Sequence, residues 1–349
     1  MSGIIPVYLS GMSDKGDRNK QEDRFTVIGN FNEHITSISP RKDSIRRSFV
    51  GVYDGHGGDE CSTFLAARFH IELGNHPEIC TNPEIALRDT WEDMDKLFYS
   101  HQLARPAYIK KSSKSKSSKS KISFHRDGST CSICLIVDNT AYIAYCGDSQ
   151  IFAYERNYRT SNFGDVHNTS NPNEIVRVQK AGGKTQQQVK KVGSRCLSWV
   201  QKGPLRVQPG GLLVTRTFGD FHAKIEKYGG ADGVIINDYD KIHKIELNEN
   251  IEQLVIGSDG IWDVMSEQDV RVTINDYMER RMKEWTRRTT ASEVLEGASV
   301  DLLYKATNHP RWNSSECAAD NATVVFINCL TSAFKERFGD LKPESDATW

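Results

Sequence analysis

The sequence predicts an α+β fold of antiparallel strands and paired amphipathic helices, on three observations. Ser129 to Val137, Ala141 to Cys146 and Ile151 to Tyr154 are short apolar runs joined by Asp138-Asn139-Thr140 and Gly147-Asp148-Ser149-Gln150, the grammar of an antiparallel meander. Phe64, Leu65, Phe69 and Leu73 recur at helical spacing, and a second such segment follows them. Apolar strands also end repeatedly in carboxylates, as in Val52-Tyr53-Asp54-Gly55-His56 and Ile256-Gly257-Ser258-Asp259-Gly260.

Composition narrows the class. A chain of 349 residues, 38% hydrophobic and 26% charged, can bury a sizeable core as one large domain or two modest ones. Its 45 basic residues balance 46 acidic ones, so no overall field favours nucleic acid or a membrane surface. Met1 to Pro6 carries neither a basic region nor an export-length apolar run, and no later segment has the length and hydropathy of a membrane span. The expectation is a soluble intracellular protein of the cytoplasm, the nucleus or both. Eight cysteines include Cys131 and Cys134 at zinc-like spacing, but no second pair completes a site, so buried thiols are expected.

In chain order, Ser10 to Phe25 reads as a polar surface loop containing Arg18 and the pair Glu22-Asp23. Phe25 to Ile28 and Ser48 to Tyr53 are strands, and the second runs into Asp54. Helices are expected from Asp59 to Leu73 and from Asn82-Pro83, where Asn caps and Pro occupies the first helical position, through Phe98. Lys110 to Lys121 contains only Lys and Ser and is expected to be a disordered basic loop; no aromatic residue interrupts it to stack a base. After the meander, Arg156 to Pro209 is polar and irregular, consistent with a flap, with one helix from Asn171-Pro172 to the Gly182-Gly183 stop. Ile251 to Ser258 is a strand that delivers Asp259. Ser266 and Asp269 begin a helix through Met282, another spans Ser292 to Thr307, and Asp320-Asn321 opens a last strand, Thr323 to Asn328. Lys335 to Trp349 is a polar tail expected to fray.

Glu22, Asp54, Asp259 and Asp320 all stand at element borders. Each alone is an ordinary turn former, but carboxylates that converge need a cation, and oxygen-only ligands favour hard ions such as Mg²⁺ or Mn²⁺. His56 supplies a side chain that titrates near neutrality.

Arg18 to Asp23, Tyr53-Asp54-Gly55-His56-Gly57-Gly58, Asp127-Gly128-Ser129-Thr130, Gly147-Asp148-Ser149, Thr215 to Asp220, Ser258 to Asp263 and Asp320-Asn321 occur in the order found in metal-dependent protein Ser/Thr phosphatases. From about residue 8 to 330 the chain resembles that PPM, or type 2C, family. The resemblance implies a four-layer sandwich, two central antiparallel sheets flanked by helix pairs, in a single domain over residues 1–334 with a flap at about 156–209. It also implies two Mg²⁺ or Mn²⁺ ions per chain. Asp54 would bridge them, Glu22 and the Gly55 carbonyl would join one, and Asp259 and Asp320 the other. Asp148 and Asp263, with Asp259, match the ligands of a third ion in some members. Water held between the metals would attack phosphorus, Arg18 would grip the phosphate, His56 would protonate the leaving Ser or Thr oxygen, and Asp23 would fix waters or Arg18 from behind. Phosphorylated proteins are the implied partners of a monomeric enzyme.

Gln150 departs from the family, standing where many members have Arg, and the Lys/Ser run and Arg156 to Asn173 read as insertions. Two other readings compete: a phosphoprotein-binding scaffold that keeps the fold without turnover, and a hydrolase of small phosphate esters. Since no metal carboxylate is lost and Arg18 is present, the enzyme is preferred to the scaffold. Trp262 and Phe218 are expected in the core.

Overall fold

Two five-stranded antiparallel sheets carry the chain in the computed structural model, which describes residues 3–36, 44–104, 126–194, 197–284, 291–312 and 318–338. The Lys/Ser run at 110–121 and the tail at 339–349 lie outside these residues. One sheet runs Val7–Asp14, Ala322–Cys329, Ile251–Gly257, Gln150–Glu155, Thr160–Asn162; the other runs His243–Glu246, Thr140–Cys146, Cys131–Val137, Arg47–Tyr53, Arg24–Ile28. The meander therefore changes sheet at the Gly147-Asp148-Ser149 turn.

Side-chain alternation explains why the central strands read as unbroken apolar runs. Successive residues of a strand face opposite sides. In Arg47–Tyr53, Val50 and Val52 meet Ile256, Val325 and Ile327 of the opposite sheet, while Phe49 and Tyr53 face the helices Glu60–Asn75 and Pro83–Leu103 through Leu65, Phe69, Trp91 and Phe98. The other sheet repeats the arrangement, its Phe152, Val255 and Phe326 packing on Val270, Ile274, Leu295 and Leu302 of Glu267–Lys283 and Ala291–Thr307. The result is helices, sheet, sheet, helices. Cys131 and Cys134 illustrate the same rule: three residues apart in one strand, they enter different cores as free buried thiols. Phe218 is fully buried, and the partly buried Trp262 packs against Phe152 with the rings tilted by 58°, while its Nε1 donates to the Gly257 carbonyl at 2.8 Å.

Helix starts follow their predicted caps. Asn82 accepts from the Ile85 amide at 3.2 Å, Asn171 from the Asn173 amide at 3.0 Å, and Ser266 and Asp269 exchange side-chain to backbone bonds at 3.0 and 3.2 Å.

Four segments differ from expectation. Ser10 to Asp14 is not loop but the second half of strand Val7–Asp14, paired in register with Ala322–Cys329; Gly11 leaves room for the Phe25 ring, so a small residue where a strand pattern needs a large one hid it. Lys184–Ser194 and Leu197–Gln208 form a hairpin inside the irregular stretch. Between Lys184 and Val189 nearly every side chain is exposed, so no apolar alternation marks it. His243–Glu246 adds an edge strand on Thr140–Cys146. Ser332–Phe338 is helical where the tail is expected to fray from Lys335, because Glu249 receives the Ser332 amide and hydroxyl and Phe334 is buried. No helix among the described residues is long and apolar enough to cross a membrane.

Phe49 is fully buried between the Phe31 and Phe69 rings, whose centroids lie 5.7 and 6.0 Å away. Phe49→Ala is expected to lower stability by about 3–5 kcal/mol, read as a fall in the urea midpoint without change of slope.

Candidate metal-binding active site

The border carboxylates come together at one end of the two sheets. Asp54 follows strand Arg47–Tyr53, Asp148 lies in the turn that switches sheets, and Asp259 follows Ile251–Gly257. Carboxylate oxygens of these three residues all lie within 4.8 Å of one another. They open into a cleft of about 670 Å³ that is also lined by Arg18, Glu22, Asp23, Gly55, His56 and Asp320. Asp263, one helical turn beyond Asp259, is exposed and is not part of that lining; its carbonyl accepts from Arg311, and its charge still acts on Asp148 and Asp259.

Backbone contacts set these positions. The Asp54 amide donates to Thr130 Oγ1 at 3.1 Å and its carbonyl receives the Thr130 amide at 2.9 Å, while Thr130 Oγ1 lies 2.8 Å from Ser149 Oγ. One threonine thus ties the Asp54 strand end to the Asp148 turn. Gly55 has to be glycine, because a Cβ there would collide with the Glu22 carbonyl and Ser62 Oγ, which are themselves hydrogen-bonded at 2.5 Å. Asn321 accepts the Glu22 amide at 2.8 Å and donates to the Lys15 and Lys20 carbonyls at 2.8 and 3.0 Å, so the residue after Asp320 clamps the loop that carries Arg18. Asp23 is buried behind the cleft, where its Oδ2 receives Ser258 Oγ at 2.9 Å and Thr323 Oγ1 at 2.8 Å. Among the described residues Arg18 bonds Asp320, at 2.5 Å, and not Asp23.

Electrostatics follows from the crowding. Removal from water, then the charges of Asp259, Asp23, Asp148 and Asp320, push the Asp54 carboxyl well above the usual aspartate range. Asp259 is pushed up in the same way, by loss of hydration and then by Asp148 and Asp320. Burial raises Asp148 too, against a 3.2 Å bond from Asn168 Nδ2. Burial raises Asp23 to about 6 against the bonds from Thr323 and Ser258. Among the described residues no Lys or Arg pairs with Asp54, Asp148 or Asp259. An oxygen-only set held together against its own repulsion fits a hard divalent cation.

His56 sits on the cleft wall with Nε2 at 2.5 Å from Oδ2 of Asp220. Burial pulls its pKa down, but the charge and hydrogen bond of Asp220 outweigh this and the net shift is upward. Asp220, in the Thr215 to Asp220 motif, is a partner that sequence reasoning left without a role; an acid closing a Phe-Gly turn was the available signal. Thr130 and Ser258 stand in the quoted motifs without a role and Asn168 was not singled out, since hydroxyls and amides at turns carry no mark of what they will hold.

Beside the cleft, the helix Pro172–Lys180 and the segment around Leu212 and Val214 share a small core with Val207, Val234 and Ile235. Glu174 anchors it. Despite burial, hydrogen bonds from Arg216, Arg177 and Thr215 bring its carboxyl down to about 2. Arg216 also pairs with Asp240 at 2.7 Å, and Asp240 bonds the buried His167, whose Nδ1 accepts the Gly147 amide at 3.3 Å. This chain of contacts links the flap to the Asp148 turn.

A family model described as Protein phosphatase 2C matches residues 8–301. Probable protein phosphatase 2C 20 of Oryza sativa subsp. japonica is 27% identical over 345 residues, 95% of this chain and 60% of the relative. Probable protein phosphatase 2C 2 of Paramecium tetraurelia is 26% identical over 281 residues, 80% of this chain and 82% of the relative. Protein phosphatase 1F of Homo sapiens is 25% identical over 284 residues, 81% of this chain and 52% of the relative. The chain thus spans between 52% and 82% of the length of these relatives. Among solved structures, a C. elegans sex determining protein aligns with a TM-score of 0.65 at 25% identity, covering 94% of this chain and 65% of that one. Serine-threonine phosphatase 2C from Toxoplasma gondii aligns at 0.63 and 18% identity over 94% and 96%, a likeness of fold.

The raised Asp23 carboxyl makes a pH prediction. Because its folded pKa of about 6 exceeds the ordinary 3.8, it favours the folded state fully below 3.8, and that contribution is lost as pH rises through about 6. In EDTA, the stability advantage of Asp23→Asn over the parent chain is expected to grow between pH 4 and pH 7, by roughly 3 kcal/mol at most. Denaturant melts across that range check it; a difference that does not change with pH overturns it.

Proposed function

The chain belongs to the protein phosphatase 2C family, and on that premise we propose that it is a metal-dependent protein Ser/Thr phosphatase, hydrolysing phosphoserine and phosphothreonine in proteins. The family depends on Mg²⁺ or Mn²⁺. The observation that carries the reading is the gathering of Asp54, Asp148 and Asp259 within 4.8 Å at the floor of a cleft that also holds Arg18 and His56.

In this reading Glu22, Asp54, the Gly55 carbonyl, Asp259 and Asp320 would hold two ions. Asp148 and Asp263 are the candidates, with Asp259, for a third. When bound, the ions supply Lewis acidity and positive charge for the phosphoryl oxygens. The chain's own groups do the rest. Arg18 uses one nitrogen on Asp320, and the remaining N–H donors of its planar guanidinium are available to hold and orient a phosphate. A water oxygen forms the new bond to phosphorus in line with the breaking P–O bond. His56 gives a proton to the departing Ser or Thr oxygen, which would otherwise leave as an unstable alkoxide. Asp23, held by Ser258 and Thr323, backs the site and keeps the Asp54 region in place.

Phosphate release from a phosphothreonine peptide in EDTA, Mg²⁺ or Mn²⁺, run beside Asp259→Asn, tests the reading. Activity that needs added metal and falls at least about 100-fold in the variant is expected. Phosphopeptide binding without turnover under any metal would replace the enzyme with a scaffold. High efficiency on small esters with little on phosphoproteins would move the substrate class. His56→Ala is expected to cut kcat on phosphothreonine by about 10²-fold or more while changing kcat on an activated aryl phosphate by less than about threefold, because the aryl oxygen leaves without help. Arg18→Ala is expected to raise KM about tenfold with a smaller change in kcat; an effect confined to kcat would give Arg18 another role.

A further inference from the structure

A small sheet brings His56 and Asp220 together. Three two-residue strands, Gly55–His56, Gly128–Ser129 and Phe218–Gly219, form a small separate sheet in which His56 pairs with Gly128 and Gly128 with Gly219. Asp220 follows at once, with a left-handed φ of 50°, a conformation that costs a non-glycine residue about 1 kcal/mol or more. Its amide donates to the Asp127 carbonyl at 3.0 Å, which fixes the turn. The side chain is completely buried. Oδ2 lies 2.5 Å from His56 Nε2; the other oxygen has no hydrogen-bond partner among the described residues, His222 Nδ1 being 3.7 Å away. Gly128 closes over the pair, since a Cβ there would collide with both Asp220 Oδ2 and His56 Nε2.

A fully buried carboxylate with one short partner, an imidazole on the cleft wall, is the arrangement by which an acid orients a histidine and stabilises its charged form. We propose that Asp220 is the positioning residue of His56: it accepts the Nε2 proton, locks the ring, and leaves Nδ1 as the nitrogen that protonates the leaving oxygen. The imidazolium gives its Nδ1 proton to the Ser or Thr oxygen as the P–O bond breaks, remains as the neutral Nε2–H form on Asp220, and regains a proton from water. Neither the metal carboxylates nor Arg18 takes part in this step. The inference rests on the acid role given to His56 above.

Asp220→Asn, Asp220→Ala, His56→Ala and the double variant His56→Ala with Asp220→Asn test it, each assayed with Mn²⁺ on a phosphothreonine peptide and on an aryl phosphate. For both single Asp220 variants the ratio of kcat on phosphothreonine to kcat on the aryl ester is expected to fall about tenfold or more, with KM changing less than threefold, and the double variant to show no further fall beyond His56→Ala. In the metal-free full chain, the His56 ring N–H signal, identified by its loss in His56→Ala, is expected strongly deshielded in the parent and shifted upfield in Asp220→Asn. Equal losses on the two substrates, additive losses in the double variant, or an unmoved N–H signal overturn the inference. If His56→Ala itself fails to discriminate the substrates while metal-dependent turnover persists, the acid role of His56 falls and the inference with it; discrimination by His56→Ala but not by the Asp220 variants removes the inference alone.

Discussion

Carboxylates that repel one another are held at the seam between two sheets, and much of the surrounding structure answers that constraint. Asp54, Asp148 and Asp259 stand within 4.8 Å, and desolvation adds to their mutual repulsion. Such an arrangement persists only when the backbone on which it rests is stiffer than the force pushing it apart. Stiffness comes from strands buried on both faces, whose alternate residues enter different cores, and from hydroxyls such as Thr130 and Ser258 that pin one strand end to another. The stability supplied by the cores is what permits a locally unfavourable site.

Much of this was legible in the residues. Phe49, Val50, Val52 and Tyr53 declare a strand buried on both sides, and a strand that ends in Asp-Gly declares a place where backbone and carboxylate face a ligand. Asn-Pro and Ser-x-x-Asp mark helix starts whose caps are local hydrogen bonds and therefore readable over four residues. What escaped was non-local. Val7–Asp14 is a strand because Ala322–Cys329 lies beside it, and Gly11 is acceptable there because the ring of Phe25 fills its space. No property of residues 7–14 alone contains either fact. Lys184–Ser194 and Leu197–Gln208 bury little along the stretch to Val189 and so carry no periodic signal, their pairing being a matter of backbone.

The candidate site divides along the same line. Glu22, Asp54, Asp259 and Asp320 stand out only as a set of border carboxylates and His56 as a group titrating near neutrality, Arg18 takes its role from the family resemblance, and the cleft contains all six. Asp263 could also be named, yet one helical turn carries it out to the surface, a displacement that spacing to Asp259 does not reveal. Asp220 gave the weaker signal, since its meaning depends on Gly128 and His56 arriving from two other parts of the chain. The flap contacts through Glu174, Arg216 and His167 are of the same kind: each residue is unremarkable until its partner is known.

Arg18 and Asp320 are separated by 302 positions and meet in one salt bridge, while Asn321 holds the loop that precedes Glu22. The first strand of the domain has its neighbour near the other end, in Ala322–Cys329. During synthesis, Arg18, Glu22 and Asp54 therefore leave the ribosome long before the residues that complete their surroundings. Until Cys329 has emerged, the outermost strand has no ladder to join and the cleft lacks one wall. The candidate site is consequently completed only when the residues up to Cys329 are present, and fragments that end earlier hold only its beginning.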